Sequence, residues 1–186
     1  MTDYPQIIGL NGVARAGKDT VAQILHDLYG YNRVAFADRL RAVVHDSNAR
    51  VDLAGESVDI GAFVDDVGWE QAKEHMDVRA LLQGVGVAAR EHLYTDVWVD
   101  AAFATAPAGP IVISDMRFPN EYEKIRSLGG VTWQIERPNT QPALNHISDT
   151  ALRGFDFDAV IQNDGSIRDL ADKVIALLDP LQAAHR

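Results

Sequence analysis

Gly12, Gly17 and Lys18 stand in the segment NGVARAGKDT, residues 11–20, at the spacing G-x-x-x-x-G-K. That spacing suits the gripping of a polyphosphate. Glycines let the backbone curl so that successive N–H groups point inward, a following helix adds its positive dipole end, and a lysine reaches the outer phosphates. The apolar run Gln6–Leu10 ahead of the loop and the helical pattern from Lys18 to about Tyr29 behind it supply the strand and helix such a loop requires. A glycine-rich turn with no ligand is the alternative. The chain has only four lysines, at 18, 73, 124 and 173, so finding one here favours the phosphate loop.

The residue after the lysine should be Ser or Thr, to hold a magnesium ion. Here it is Asp19, and Thr20 follows one place late. A carboxylate is a hard oxygen ligand suited to Mg²⁺, directly or through water. Thr20 can then hydrogen-bond a phosphate nearer the base, while Arg15 offsets the added negative charge. The loop therefore reads as modified rather than broken. Lys18, Arg15 and Asp19 are its catalytic candidates.

Arg79, Gln83, Gly86 and Arg90 recur at i, i+4, i+7 and i+11, one face of a helix. Leu82, Val85, Ala89 and Leu93 form a second, apolar face. Arginine forks match phosphate oxygens, and Gln83 could read a base edge. Gly84 and Gly86 each weaken a helix by about 1 kcal/mol relative to Ala, which points to close approach of a ligand or another backbone. The same stripe also reads as a solvated face. Trp98 reads as a stacking surface for a base or as a core residue.

Asp115 follows the apolar run Ile111–Ser114, and ligands of open parallel sheets bind beyond the carboxyl ends of strands. It is placed to orient magnesium-bound water or to bond an acceptor sugar; a loop carboxylate with a local ion pair is the plainer reading. Arg39 and Arg41 follow the run Arg33–Phe36, about 200° apart on a helix, so only one faces a site there. Arg137 follows Val131–Ile135 and opens a connection to about Phe157, too long to be passive. Asn163-Asp164-Gly165 follows Ala159–Gln162 and reads as a contact to a base or as a tight turn before a helix.

Five strand-like runs, each bounded by Gly, Pro or Asp and most followed by helical periodicity, imply a parallel buried sheet with right-handed crossovers. Helices are expected from near Asp38, over Pro119–Leu128 and over Ile167–Leu178. Residues 48–68 are acidic and weakly patterned, either a flexible excursion or a small helical insert, and 69–106 read as mainly helical. The 186 residues suit one α/β domain, without repeat or low-complexity tract.

Hydrophobic residues make up 47% of the chain, which fits a globular protein. There is no cysteine, which removes disulfides and thiolate zinc sites. The six histidines show no H-x-x-x-H pair. A net charge of −10 opposes a nucleic-acid polymer or an anionic membrane as partner, but not a small anion held by a local basic cluster. The first residues lack a signal-peptide pattern and no apolar run reaches the ~20 residues of a membrane span, so a cytoplasmic protein is expected.

GVARAGKDT followed by FADRLR resembles the start of the phage-type deoxynucleoside monophosphate kinases. VRALLQGVGVAAR, DVWVDAAF, ISDMRFPNEYEKIRSLGG, IERP, HIS and IQNDGSIRDL continue the likeness in order, over nearly the whole chain except about 48–68. The G-K-D-T loop and the D-x-R-F-x-N-E segment are its most specific parts. The resemblance implies a three-layer α/β P-loop kinase fold with five parallel strands in the order 2-3-1-4-5. It implies one domain over 1–186, with a helical acceptor-binding insert about 38–106 and a lid about 137–157 in which His146 and Ser148 are hinge or cap residues. The implied activity is transfer of the terminal phosphoryl group of ATP, with Mg²⁺, to a deoxynucleoside monophosphate, in the host cytoplasm if phage-encoded. ATP then falls to Gly12, Arg15, Gly17, Lys18, Asp19, Thr20 and Arg137. The acceptor falls to Leu40, Arg41, Arg79, Gln83, Arg90, Trp98, Asp115, Arg117 and Glu121. Magnesium falls to Asp19 and, through water, to Asp115. A homodimer is compatible with all of this.

Two other readings remain at this level. Animal-type phosphomevalonate kinases also use a G-K-D loop, so the acceptor could be another phosphorylated metabolite. A nucleotide-binding switch would leave the arginine stripe unexplained, and no N-K-x-D guanine-reading motif is present.

Overall fold

The apolar run that precedes the glycine loop is the central strand of a sheet. The computed structural model describes residues 4–138, 140 and 151–184. In chain order its elements are β1 (Ile7–Asn11), α1 (Lys18–Tyr29), β2 (Asn32–Val34), α2 (Phe36–Asp46), β3 (Arg50–Leu53), β4 (Glu56–Asp59), α3 (Ile60–Ala72), α4 (Met76–His92), α5 (Val97–Ala104), β5 (Ile111–Ile113), α6 (Pro119–Ser127), β6 (Val131–Glu136), β7 (Ala159–Gln162) and α7 (Ile167–Ala184). The chain forms two compact units, Met1–Ala35 with Thr105–Arg186, and Phe36–Ala104.

The first unit holds a five-stranded sheet in the order β2-β5-β1-β6-β7. Counted over this sheet's own strands, that is 2-3-1-4-5, as expected. Every pairing is parallel, with Ile7 opposite Ile111 and Ile8 opposite Val131 on the two sides of β1. Burial on both faces explains why the inner strands β1 and β5 read as continuous apolar runs. On one face α1 and α7 contribute Val21, Leu25, Leu170, Val174 and Leu178 to a cluster with Ile8, Leu10, Trp133 and Ile135. On the other, α6 packs so closely that a Cβ at Gly9 would lie 2.7 Å from Ile125 Cδ1. The helices therefore lie in layers on both sides of the sheet.

The second unit has its own core of Val44, Val51, Ile60, Val64, Ala72 and Val78. Residues 48–68 include the start of a helix, one of the two things expected of them, but also a hairpin that was not expected. They form an antiparallel hairpin, β3 with β4, followed by α3. Ala54 and Gly55 at its tip both have positive φ, 56° and 93°, as a tight two-residue hairpin turn requires. The alternation is present but short: Val51 sits opposite Val58, with Asp52 opposite Ser57. Asp59 then caps α3, its carboxylate accepting the Ala62 N–H at 2.9 Å. β2 ends two residues before the expected limit because Phe36 already starts α2, with its ring 6.1 Å from that of Phe103. Among the described residues no helix is long and apolar enough to cross a membrane.

Candidate active site

The glycine loop joins the carboxyl end of β1 to the amino end of α1. Gly12 and Gly17 have φ of 151° and 111°, conformations a side chain would oppose. Space forbids a side chain as well, since a Cβ at Gly12 would lie 2.5 Å from the Ile135 carbonyl oxygen. Arg15 adopts φ 65° without being glycine, at a cost of about 1 kcal/mol. Its side chain is exposed. Ala16 turns its methyl into the core and donates its N–H to the Val13 carbonyl at 3.2 Å. The Lys18 ammonium folds back over the loop, donating to the carbonyls of Gly12 at 2.6 Å and Val13 at 2.9 Å. The outcome is a tight curl capped by a cation, at the positive end of a twelve-residue helix.

Asp19 lies in the first turn of α1, 82% exposed, with its carboxylate 3.6 Å from the Arg33 guanidinium on β2. An ion pair this long and this exposed contributes little and is easily released. Thr20 is half-buried beside it. Asp115 follows β5, the parallel neighbour of β1, so it stands at the same sheet end as the loop. Arg137 follows β6, the other neighbour of β1, and its side chain is exposed. Parallel topology thus brings three segments far apart in sequence, 12–20, 115–117 and 137, to one sheet edge.

Two asparagines at this edge make long-range hydrogen bonds that spacing did not suggest. Asn11 donates its side-chain amide to the Met116 carbonyl at 2.8 Å, tying the end of β1 to the segment carrying Asp115 and Arg117. Asn163, expected as a base contact or turn residue, lies in the connection from β7 to α7 and donates to the carbonyl of Ala16 within the glycine loop, at 2.8 Å. No spacing rule reveals either bond, since their partners lie 105 and 147 residues away.

Glu121 departs from the expected acceptor role. It is 3% exposed, and its carboxylate accepts the N–H groups of Arg117 at 2.6 Å and Phe118 at 3.0 Å. It therefore caps α6 and shapes the loop that displays Arg117, whose side chain is exposed. The D-x-R-F-x-N-E pattern is in this respect a folding signal.

In the second unit α4 runs over the expected stripe, and the stripe divides. Arg79 and Gln83 are exposed, with Arg79 donating to the Lys73 carbonyl. Arg90 is half-buried, and Gly86 is buried beneath Leu40 of α2, 3.1 Å from where a Cβ would stand. Gly86 thus serves close helix packing, whereas Gly84 faces open space. The core-facing stripe is Val78, Leu82 and Val85; Leu93, expected on it, is 68% exposed beyond the helix end. Arg41 is half-buried and pairs with Asp38 at 3.2 Å. Of the two readings of Trp98, a stacking surface or a core residue, its burial fits the second. It is 5% exposed and donates its indole N–H to the Gly86 carbonyl at 3.1 Å, which leaves little of the ring open to a base. Most of the expected lid over 137–157, including His146 and Ser148, lies outside the described residues.

The sheet order, the curled loop beyond its central strand and the lysine folded over that loop define a P-loop protein. A family model described as deoxynucleotide monophosphate kinase matches residues 59–174, more than half of the chain, and the chain belongs to that family. An Acanthamoeba polyphaga mimivirus protein, provisionally named a deoxynucleotide monophosphate kinase, is 28% identical over 196 residues, covering 93% of this chain and 96% of its own. The deoxynucleotide monophosphate kinase of Escherichia phage RB69 is 28% identical over 108 residues, covering 54% of this chain and 44% of its own. Among solved structures, a dephospho-CoA kinase from Campylobacter jejuni aligns over 97% of this chain and 99% of its own, at 13% identity and a TM-score of 0.47. An APS kinase of Mycobacterium tuberculosis aligns over 95% and 98%, at 16% identity and a TM-score of 0.42.

Proposed function

We propose that this chain transfers the terminal phosphoryl group of ATP to a deoxynucleoside monophosphate, giving ADP and the deoxynucleoside diphosphate, in the supply of deoxynucleotides. The observation that carries the reading is the loop itself, curled between β1 and α1 with Lys18 folded across it. Family membership supports the choice of acceptor.

Phosphoryl transfer asks the protein mainly for position and charge. Gly12, Gly17 and the loop amides hold the phosphates of ATP. Lys18 leaves its two carbonyls to neutralise charge on the transferred group, and Arg15 adds a second cation. Asp19 and Asp115 are hard oxygen donors that fit Mg²⁺, and the long, exposed pairing of Asp19 with Arg33 leaves its carboxylate within easy reach of a cation. When bound, magnesium supplies positive charge between the phosphates. Thr20 and Arg137 complete the donor set.

We assign the acceptor's phosphate and base to Arg79, Gln83, Arg90 and Arg41 of the second unit, and its sugar to Asp115 with Arg117. With Trp98 in the core, Gln83 is the residue left to read a base. The test is ADP release with dAMP, dCMP, dGMP, dTMP and phosphomevalonate in parallel, with ATP alone as control. Turnover with one or more of the four deoxynucleotides is expected. A response to phosphomevalonate alone, or hydrolysis that no acceptor alters, would overturn the reading.

A further inference from the structure

The glycine loop is fastened at one point to the far end of the chain. Asn163 Nδ2 donates to the Ala16 carbonyl at 2.8 Å, across 147 residues. Asn163 is itself fixed, since its backbone N–H donates to the Glu136 carbonyl at 2.6 Å, at the end of β6. The fit is close: a Cβ at Gly17 would lie 2.4 Å from the same amide nitrogen. Resting on the kinase reading above, we propose that Asn163 is a positioning residue for the phosphate loop, a latch that sets the direction of the Ala16–Gly17 peptide.

A trans peptide is planar, so the carbonyl of one residue and the N–H of the next point in opposite directions. Holding the Ala16 carbonyl against Asn163 aims the Gly17 N–H the other way. That N–H is one of the inward donors a polyphosphate needs, and it belongs to the residue preceding Lys18. The latch stands on the ends of two neighbouring strands, β6 and β7. The turn behind it is braced by other bonds. Lys173 holds the Gln162 carbonyl and the Asp164 carboxylate, both at 2.6 Å. Ser166 and Asp169 cap α7 reciprocally, the Ser166 N–H to carboxylate at 2.7 Å and the Asp169 N–H to hydroxyl at 3.2 Å. The Asn163 amide is therefore presented to the loop from a rigid support, and the glycine at 17 is needed for contact as well as for backbone shape.

The latch and a base contact make opposite predictions for a ligand without a base. Calorimetry is run on the full chain and on Asn163→Ala and Asn163→Asp, with magnesium ATP and with magnesium tripolyphosphate. Melting curves establish that each variant is folded, and Asn163→Asp keeps the side-chain shape should the alanine form prove unstable. Both probes should weaken by the same factor, about tenfold, while KM for the best deoxynucleoside monophosphate stays unchanged. Gly17→Ala should cost less in the Asn163→Ala background than in the wild type, because the amide it meets is gone. Weakening of ATP alone, with tripolyphosphate unaffected, would make Asn163 a base contact and overturn the latch. Unchanged binding of both probes by folded variants would overturn it too. Wild-type protein that binds neither probe would defeat the kinase reading itself, a result distinct from a wild type that binds both and variants that match it.

Discussion

The glycine loop and the arginine stripe of α4 were read from the same kind of signal, residue types at a fixed spacing, and they fared differently. In the loop every spaced residue has the work its type suggests: Gly12 and Gly17 take positive φ, and Lys18 caps the curl. In the stripe, Arg79 and Gln83 are exposed while Gly86 lies under Leu40. A loop of six residues builds its own environment, because glycine conformation and short-range hydrogen bonds suffice. A helix face has no environment until something packs on it, so equal spacing can serve a ligand at one turn and a neighbouring helix at the next.

That contrast can be broken at several points. Lys18→Ala should lower turnover on the order of 10³-fold with the melting temperature nearly unchanged, as expected where a cation acts on developing charge. Near-normal kcat would remove the lysine from the chemistry and leave the loop no better founded than the stripe. Trp98→Ala should destabilise the protein by about 3 kcal/mol, visible in chemical denaturation. A folded variant of normal stability whose only defect is a raised acceptor KM would restore Trp98 to the acceptor site. Arg79→Ala should raise the acceptor KM about tenfold and leave that of ATP alone. Equal damage to both would empty the stripe of its assigned role.

The smallest expected effects concern pH, and they separate the two units by sign. Burial pushes the Asp158 carboxyl up, but the Thr132 N–H and the Arg126 guanidinium outweigh it and hold it below its ordinary value of 3.8. A depressed carboxyl contributes stability above that value and loses it as pH falls through the folded value, so the first unit loosens in acid. His45 is raised above 6.5 by hydrogen bonds to Asp46 and Asp65. A raised imidazole contributes stability below 6.5 and loses it as pH climbs through the folded value, so the second unit slackens toward alkaline pH. Amide hydrogen exchange from pH 3 to 9 checks both. Asp158→Asn should flatten the acid limb alone and His45→Gln the alkaline one; an Asp158→Asn protein that keeps the full acid limb would contradict the first assignment.

The hairpin shows how far pattern reading reaches. Four-residue strands carry only two inward positions each, and Ala54-Gly55 lacks the Asn or Asp that marks such a turn, so within 48–68 the hairpin was not legible. The longer runs were legible because burial on both faces of a parallel sheet leaves uninterrupted apolar stretches between Gly, Pro and Asp. Glu121 lies between these cases. Its position three residues after Phe118 suits a cap as well as a ligand, and only its burial against two backbone N–H groups decides between them.

By itself the sequence determined the order along the chain of the five parallel strands and the phosphate loop, since both leave a pattern among residues within a few positions of one another. Tertiary structure alone decided that Trp98 is core, that the amide of Asn163 meets the loop it helps to shape, and which side of α4 stays open. Those outcomes depend on contacts between residues far apart in the chain, where spacing carries no information and packing space settles which side chain faces what.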